Sequence, residues 1–90
     1  MTRPEILAAA SRIVTGEREQ QYNSPEQSFD KIAALWGAYL SFNISAVDVA
    51  CMMALLKIAR VKTGSGKDDN WIDLAGYAAC GGEIEAGVSK

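Results

Sequence analysis

Three N-capping signals divide this chain of 90 residues into short rods before any question of packing arises. Thr2-Arg3-Pro4-Glu5, Ser24-Pro25-Glu26-Gln27 and Ser45-Ala46-Val47-Asp48 each set a hydroxyl three residues ahead of a carboxylate or amide. That spacing lets the hydroxyl accept from an unpaired backbone N–H of the first turn while the later side chain returns the bond. Pro25 stands at the first helical position, where its missing N–H costs nothing. A fourth start lies in Lys67-Asp68-Asp69-Asn70, whose short polar side chains are able to cap a helix from Trp71 onward. Gly16, Gly64 and the pair Gly81-Gly82 read as stops for the first, third and fourth rods, and the second ends near Ser41.

Periodicity agrees with these limits. Ile6, Leu7, Ala10, Ile13 and Val14 form one stripe, and Phe29, Ile32, Ala33, Trp36, Tyr39 and Leu40 form another at helical spacing. Trp71, Leu74, Ala75 and Ala78 supply the stripe of the last helix. Between Val49 and Ala59 the only charge is Lys57, so the third helix reads as apolar on almost every side and is expected at the centre. No run alternates with period two. The expected fold is all-α: a compact four-helix antiparallel arrangement with short loops. It is read as a single domain over 1–90, with residues 83–90 as a frayed tail.

Composition narrows the chemistry. A net charge of -2 gives no basic field of the kind that holds duplex DNA, so nucleic acid is not an expected partner. The chain has no histidine, which removes the usual general base and every Ser/His or Cys/His nucleophile pair. Cys51 and Cys80 sit in apolar helical runs and read as free, buried thiols. No segment has the roughly 20 apolar residues of a membrane span, and Met1–Glu5 lacks the apolar core of a signal peptide, so the expected compartment is the cytoplasm.

Short connections between consecutive helices place the end of the first, the start of the second, the end of the third and the start of the fourth at one pole. Arg18, Tyr22, Ser24, Glu26, Asp30, Lys57, Arg60, Lys62, Lys67, Asp68, Asp69 and Asp73 are expected there. Tyr39, Phe42, Ile44 and Asp48 fall at the opposite pole. Lys57 and Arg60 share a helix face, as do Asp69 and Asp73. Two readings stay open for this cluster. It is an ion-pair network that closes the bundle, or a nucleotide or phosphate pocket. In the pocket Lys57, Arg60 and Arg18 hold phosphate, while Asp69 and Asp73 hold a divalent metal.

Thr63-Gly64-Ser65-Gly66-Lys67 only superficially resembles a phosphate loop. It lacks the first glycine at the required distance and a hydroxyl after the lysine, and it follows a helix rather than a strand. Met52 and Met53 read as core or as an oligomer surface. Trp36, Trp71 and Tyr39 read as core or as protein-interface aromatics.

Four stretches carry a family likeness: Gly16 to Pro25, Ile32 to Trp36, Asp48 to Arg60, and Asp69 to Ala78. Together they resemble a group of short proteins encoded by tailed phages and prophages, a domain of unknown function, over about Ile6 to Glu83. More distantly, a Lys/Arg-bearing helix followed by Asp69-Asn70-Trp71-Ile72-Asp73-Leu74-Ala75-Gly76-Tyr77 is similar to the last helices of MazG-like all-α nucleoside triphosphate pyrophosphohydrolases. That likeness implies magnesium, held by a Glu-x-x-Glu pair and a second acidic pair. Only Asp69 and Asp73 match the second pair. Glu26 and Asp30 lie near a capped end, and Asp48 lies more than about 13 Å along the helix from Lys57.

The expectation is therefore a small phage-type accessory protein, a non-catalytic, degenerate MazG-like domain that binds nucleotide or phosphate. One alternative is a phage protein that binds and inhibits a host protein, such as a defence component. Another is a magnesium-dependent pyrophosphohydrolase whose site is shared between subunits. Homo-oligomerisation is expected because the second and third helices carry more apolar surface than so short a bundle covers.

Overall fold

The computed structural model describes residues 1–16, 24–64 and 67–87, and over these the chain is all-helical. Four helices follow one another: α1 (Arg3–Thr15), α2 (Pro25–Leu40), α3 (Ala46–Thr63) and α4 (Lys67–Ala86). No helix among the described residues is long and apolar enough to cross a membrane.

The caps form as their spacing requires. Thr2 N–H donates to Glu5 Oε1 at 2.7 Å, and Glu5 N–H returns a bond to Thr2 Oγ1 at 3.4 Å. The bond from the Thr2 backbone holds the Glu5 carboxyl below the ordinary carboxylate range. Ser45 and Asp48 make the same reciprocal pair at 2.9 and 3.0 Å. Ile44, just outside that cap, packs on the cluster that contains Val49, which is the hydrophobic-staple arrangement. Ser24 accepts from the Gln27 N–H at 3.3 Å. Helix α2 stops at Ser41, whose φ of 55° is left-handed. Phe42 N–H then donates back to the Gly37 carbonyl at 3.1 Å. A β-carbon on Gly37 would lie 2.9 Å from the Phe42 carbonyl oxygen, so this return turn requires a glycine.

Helix α4 departs from expectation at both ends. It begins at Lys67 rather than near Trp71, and it runs through Gly81 and Gly82 to Ala86, where Gly87 turns left-handed at φ 71°. The two glycines are helix interior. A β-carbon on Gly81 would stand 2.9 Å from Ala50 Cβ, so glycine there is the space that lets α3 approach. Its buried face is Ile72, Gly76 and Cys80 at steps of four, not the Trp71–Ala78 stripe.

That narrow face makes α4, not α3, the central helix: it packs against α1, α2 and α3. The α3–α4 hairpin is antiparallel, since Lys57 meets Asp73 and Ala50 meets Gly81. Helix α1 lies along α4 in the same direction. The Met1 amino group stands 3.7 Å from Asp68, Ala9 and Ala10 cluster with Ile72, and Val14 lies against Gly76. The start of α1, rather than its end, therefore shares a pole with the end of α3 and the start of α4.

The core is thin and built of small residues. One cluster joins Phe29, Ala33, Ala46, Val49, Ala50 and Cys80, and a smaller one joins Ala9, Ala10 and Ile72. Val49 is the only described side chain larger than alanine that is fully enclosed. Consequently α3 is buried on one side only. Leu55, Leu56 and Ile58 are 63%, 45% and 50% exposed, and Cys51, expected inside, is exposed while Cys80 is buried. A helix apolar on all sides is half-solvated here because the α4 face opposite it is too narrow to cover more.

Candidate functional site

The α3–α4 hairpin brings basic and acidic side chains to a common end. Lys57 Nζ lies 3.0 Å from Asp73 Oδ2, with the side chains 17% and 27% exposed. Lys57 points toward α4 because it shares a helix face with buried Val49 and Ala50. One turn on, Arg60 is exposed and makes no ion pair among the described residues. Asp69, one turn before Asp73, is also exposed, and Asp68 faces the chain's amino group. Beside them Asn70 is 3% exposed, buried at the start of α4.

Two acidic and two basic side chains predicted from spacing thus do share one pole: Lys57, Arg60, Asp69 and Asp73. Only Lys57 and Asp73 are joined directly. Arg18 and Tyr22 lie outside the described residues. Among the described residues no group of three or more carboxylates or thiols is placed to hold a metal. As it stands, Asp73 serves as the counter-ion of Lys57.

The ion pair has a measurable consequence. A partly exposed charge-assisted hydrogen bond contributes about 1 kcal/mol, less than a fully buried one. Asp73→Ala is expected to lower the melting temperature by roughly 4–8 °C. The apolar pair Lys57→Met/Asp73→Leu should recover most of that loss. A melting curve for Asp73→Ala that superposes on wild type would show the bridge to be energetically silent.

The three aromatic interface candidates separate. Trp36 is half-buried and packs on the larger core cluster. Trp71 is 50% exposed at the start of α4. Tyr39 is 87% exposed near the end of α2, with Leu35 at 70% one turn before it and Phe42 at 71% in the turn that follows. A shallow depression lined by Ala33, Gly37, Ala38, Phe42 and Ile44 opens at the same end. Sequence periodicity assigned Tyr39 and Leu40 to the buried stripe and missed Leu35 altogether. The available signal was length: the α2 stripe runs farther than the small-residue faces of α3 and α4 continue to match it.

Comparison with known proteins places this architecture. No solved structure matches it. The "Gene 55 protein" of Mycobacterium phage D29 is 47% identical over 75 residues, covering 83% of this chain and 50% of that protein. The "Gene 55 protein" of Mycobacterium phage L5 is 43% identical over 74 residues, covering 81% and 47% respectively. The chain thus spans about half the length of these phage relatives. Residues 5–85, all four helices, match one family, and the chain belongs to it: the domain of unknown function DUF6378.

Proposed function

We propose that this chain is a phage-type accessory domain that works by binding another protein, a component of the bacterial host or of the phage itself. The observation that carries this reading is the apolar surface at the end of α2, where Leu35, Tyr39 and Phe42 are each at least 70% exposed. Isolated exposed apolar residues are ordinary, but two large ones one helical turn apart, with a third in the turn that follows, are characteristic of contact surfaces. Aromatic side chains bring large contact area with few rotamers to freeze. The identity to phage proteins supports the setting. Host inhibition is one form such binding takes.

The test is a binding measurement with a partner in hand. Candidates retained from host lysate are purified and titrated against wild type and Leu35→Asp/Tyr39→Asp. Saturable binding that weakens at least about tenfold in the variant supports the reading. Unchanged affinity, or no partner that saturates, removes it.

A second reading rests on Arg60, an exposed cation beside the Lys57–Asp73 pair and the N-terminal turn of α4. That combination suits a phosphate group of a nucleotide, in keeping with a degenerate MazG-like domain. Calorimetric titration with nucleoside triphosphates, with and without magnesium, tests it. Arg60→Ala is expected to lower affinity by about tenfold or more. Absence of heat with every nucleotide disposes of this reading. Magnesium-dependent pyrophosphohydrolysis would need further carboxylates from a second copy, with Asp69 and Asp73 supplying one pair. Unchanged triphosphates after incubation with magnesium dismiss it. Self-association belongs to the same proposal.

A further inference from the structure

Helix α3 leaves an ordered stripe on the side away from α4. Asp48, Cys51, Leu55, Ile58 and Lys62 follow at steps of 3, 4, 3 and 4, and all five are exposed. This is the heptad spacing of a helix–helix seam, with apolar residues inside and one charge at each end. Leu55 sits midway, seven residues from the acid on one side and seven from the base on the other. At about 1.5 Å per residue each charge is about 10 Å from the centre. Neither Asp48 nor Lys62 makes an ion pair among the described residues.

Such a stripe is complementary to itself in one orientation. We propose that it is a homodimer interface, in which α3 packs antiparallel on α3 of a second copy about a twofold axis near Leu55. Antiparallel pairing sets Asp48 of each copy toward Lys62 of the other, and Cys51 toward Ala59. Parallel pairing would set like charges against each other at both ends, which is destabilising. The twofold operation makes every contact occur twice, so one self-complementary stripe suffices. The seam is about 20 Å long, too short for the roughly 800 Å² per partner of a standard interface, so the dimer is expected at micromolar concentration. This interface lies on α3, separate from the α2 surface assigned above to a foreign partner, so either assignment can fail while the other stands.

Sedimentation of the full chain from 1 to 500 µM, concentrations chosen to span about micromolar affinity, is expected to show a monomer–dimer equilibrium. Leu55→Glu should raise the dissociation constant by about a hundredfold or more while the thermal melt at low concentration stays unchanged, since Leu55 is already 63% exposed in one copy. Orientation is read by oxidation. Ala59→Cys should give a covalent dimer through Cys51 of one copy and the new thiol of the other. Within one chain those positions are about 12 Å apart along the helix, too far for a disulfide. Three results overturn the proposal: a wild-type monomer at 500 µM, Leu55→Glu that dimerises normally, or ready Cys51–Cys51 cross-linking in wild type. A monomer assigns the stripe to another occupant; Cys51–Cys51 cross-linking assigns it to a parallel pair.

Discussion

Phe29→Ala is expected to remove a large share of the stability of this domain. Phe29 is 9% exposed, the bulkiest member of the larger core cluster, and its ring packs tilted on Tyr77 with centroids 6.2 Å apart. The buried residues of its cluster are alanines, Val49 and Cys80, too short to fill the vacated space, while larger side chains such as Met53 and Tyr77 are only partly buried against it. A cavity among short side chains anchored on three packed helices collapses only in part, so the loss falls within the usual range for such a truncation, about 4 kcal/mol. Small domains hold only about 5–15 kcal/mol in total. A urea titration followed by circular dichroism should show the midpoint falling by at least about a quarter. A loss under about 1 kcal/mol would mean that Phe29 is not the keystone of the α2–α3–α4 contact.

Two adjacent glycines should respond in opposite directions. Gly81 faces α3, where an added β-carbon meets Ala50 Cβ at 2.9 Å, while Gly82 has nothing within 4 Å of that position. Gly81→Val is expected to destabilise by about 2–3 kcal/mol, because both α3 and α4 are held elsewhere along the hairpin and cannot separate at one point. Gly82→Ala should instead stabilise by about 0.5–1 kcal/mol, since alanine narrows the unfolded ensemble and favours the helix. Thermal melts of the two variants against wild type decide the matter. Equal effects would contradict the placement of Gly81 against α3.

The alternative to such a close contact was to read Gly81-Gly82 as a stop, and the difference shows where sequence reasoning runs out. Gly64 and Gly81 are the same residue type following similar apolar stripes. Gly64 ends its helix at φ 80°, with open space where a side chain would be. Gly81 stays helical because Ala50 occupies the place of its missing side chain. Only the position of a distant helix separates the two cases.

The functional pole divides the same way. That the Lys57/Arg60 face meets the Asp69/Asp73 face followed from one hairpin and two helical spacings, both local; that Lys57 and Asp73 are the pair that joins came from the structure. Which terminus of α1 joins them did not follow. That depends on α1 docking along α4 through Ala9, Ala10 and Val14, a contact more than fifty residues away in sequence. The exposed ends of the α2 and α3 stripes were invisible for a related reason. An apolar residue looks alike in sequence whether its partner helix reaches it or stops a turn short.

By itself, then, the sequence determined the helix count, the start of three helices and the four charged residues among which the ion pair forms. Caps and i, i+4 faces are written within a few residues of one another, and backbone hydrogen bonding enforces them locally. The tertiary structure decided the central helix, the direction of α1 and which apolar faces stay in water. Those depend on the summed fit of small-residue surfaces far apart in the chain, and close packing is a property of pairs rather than of residues.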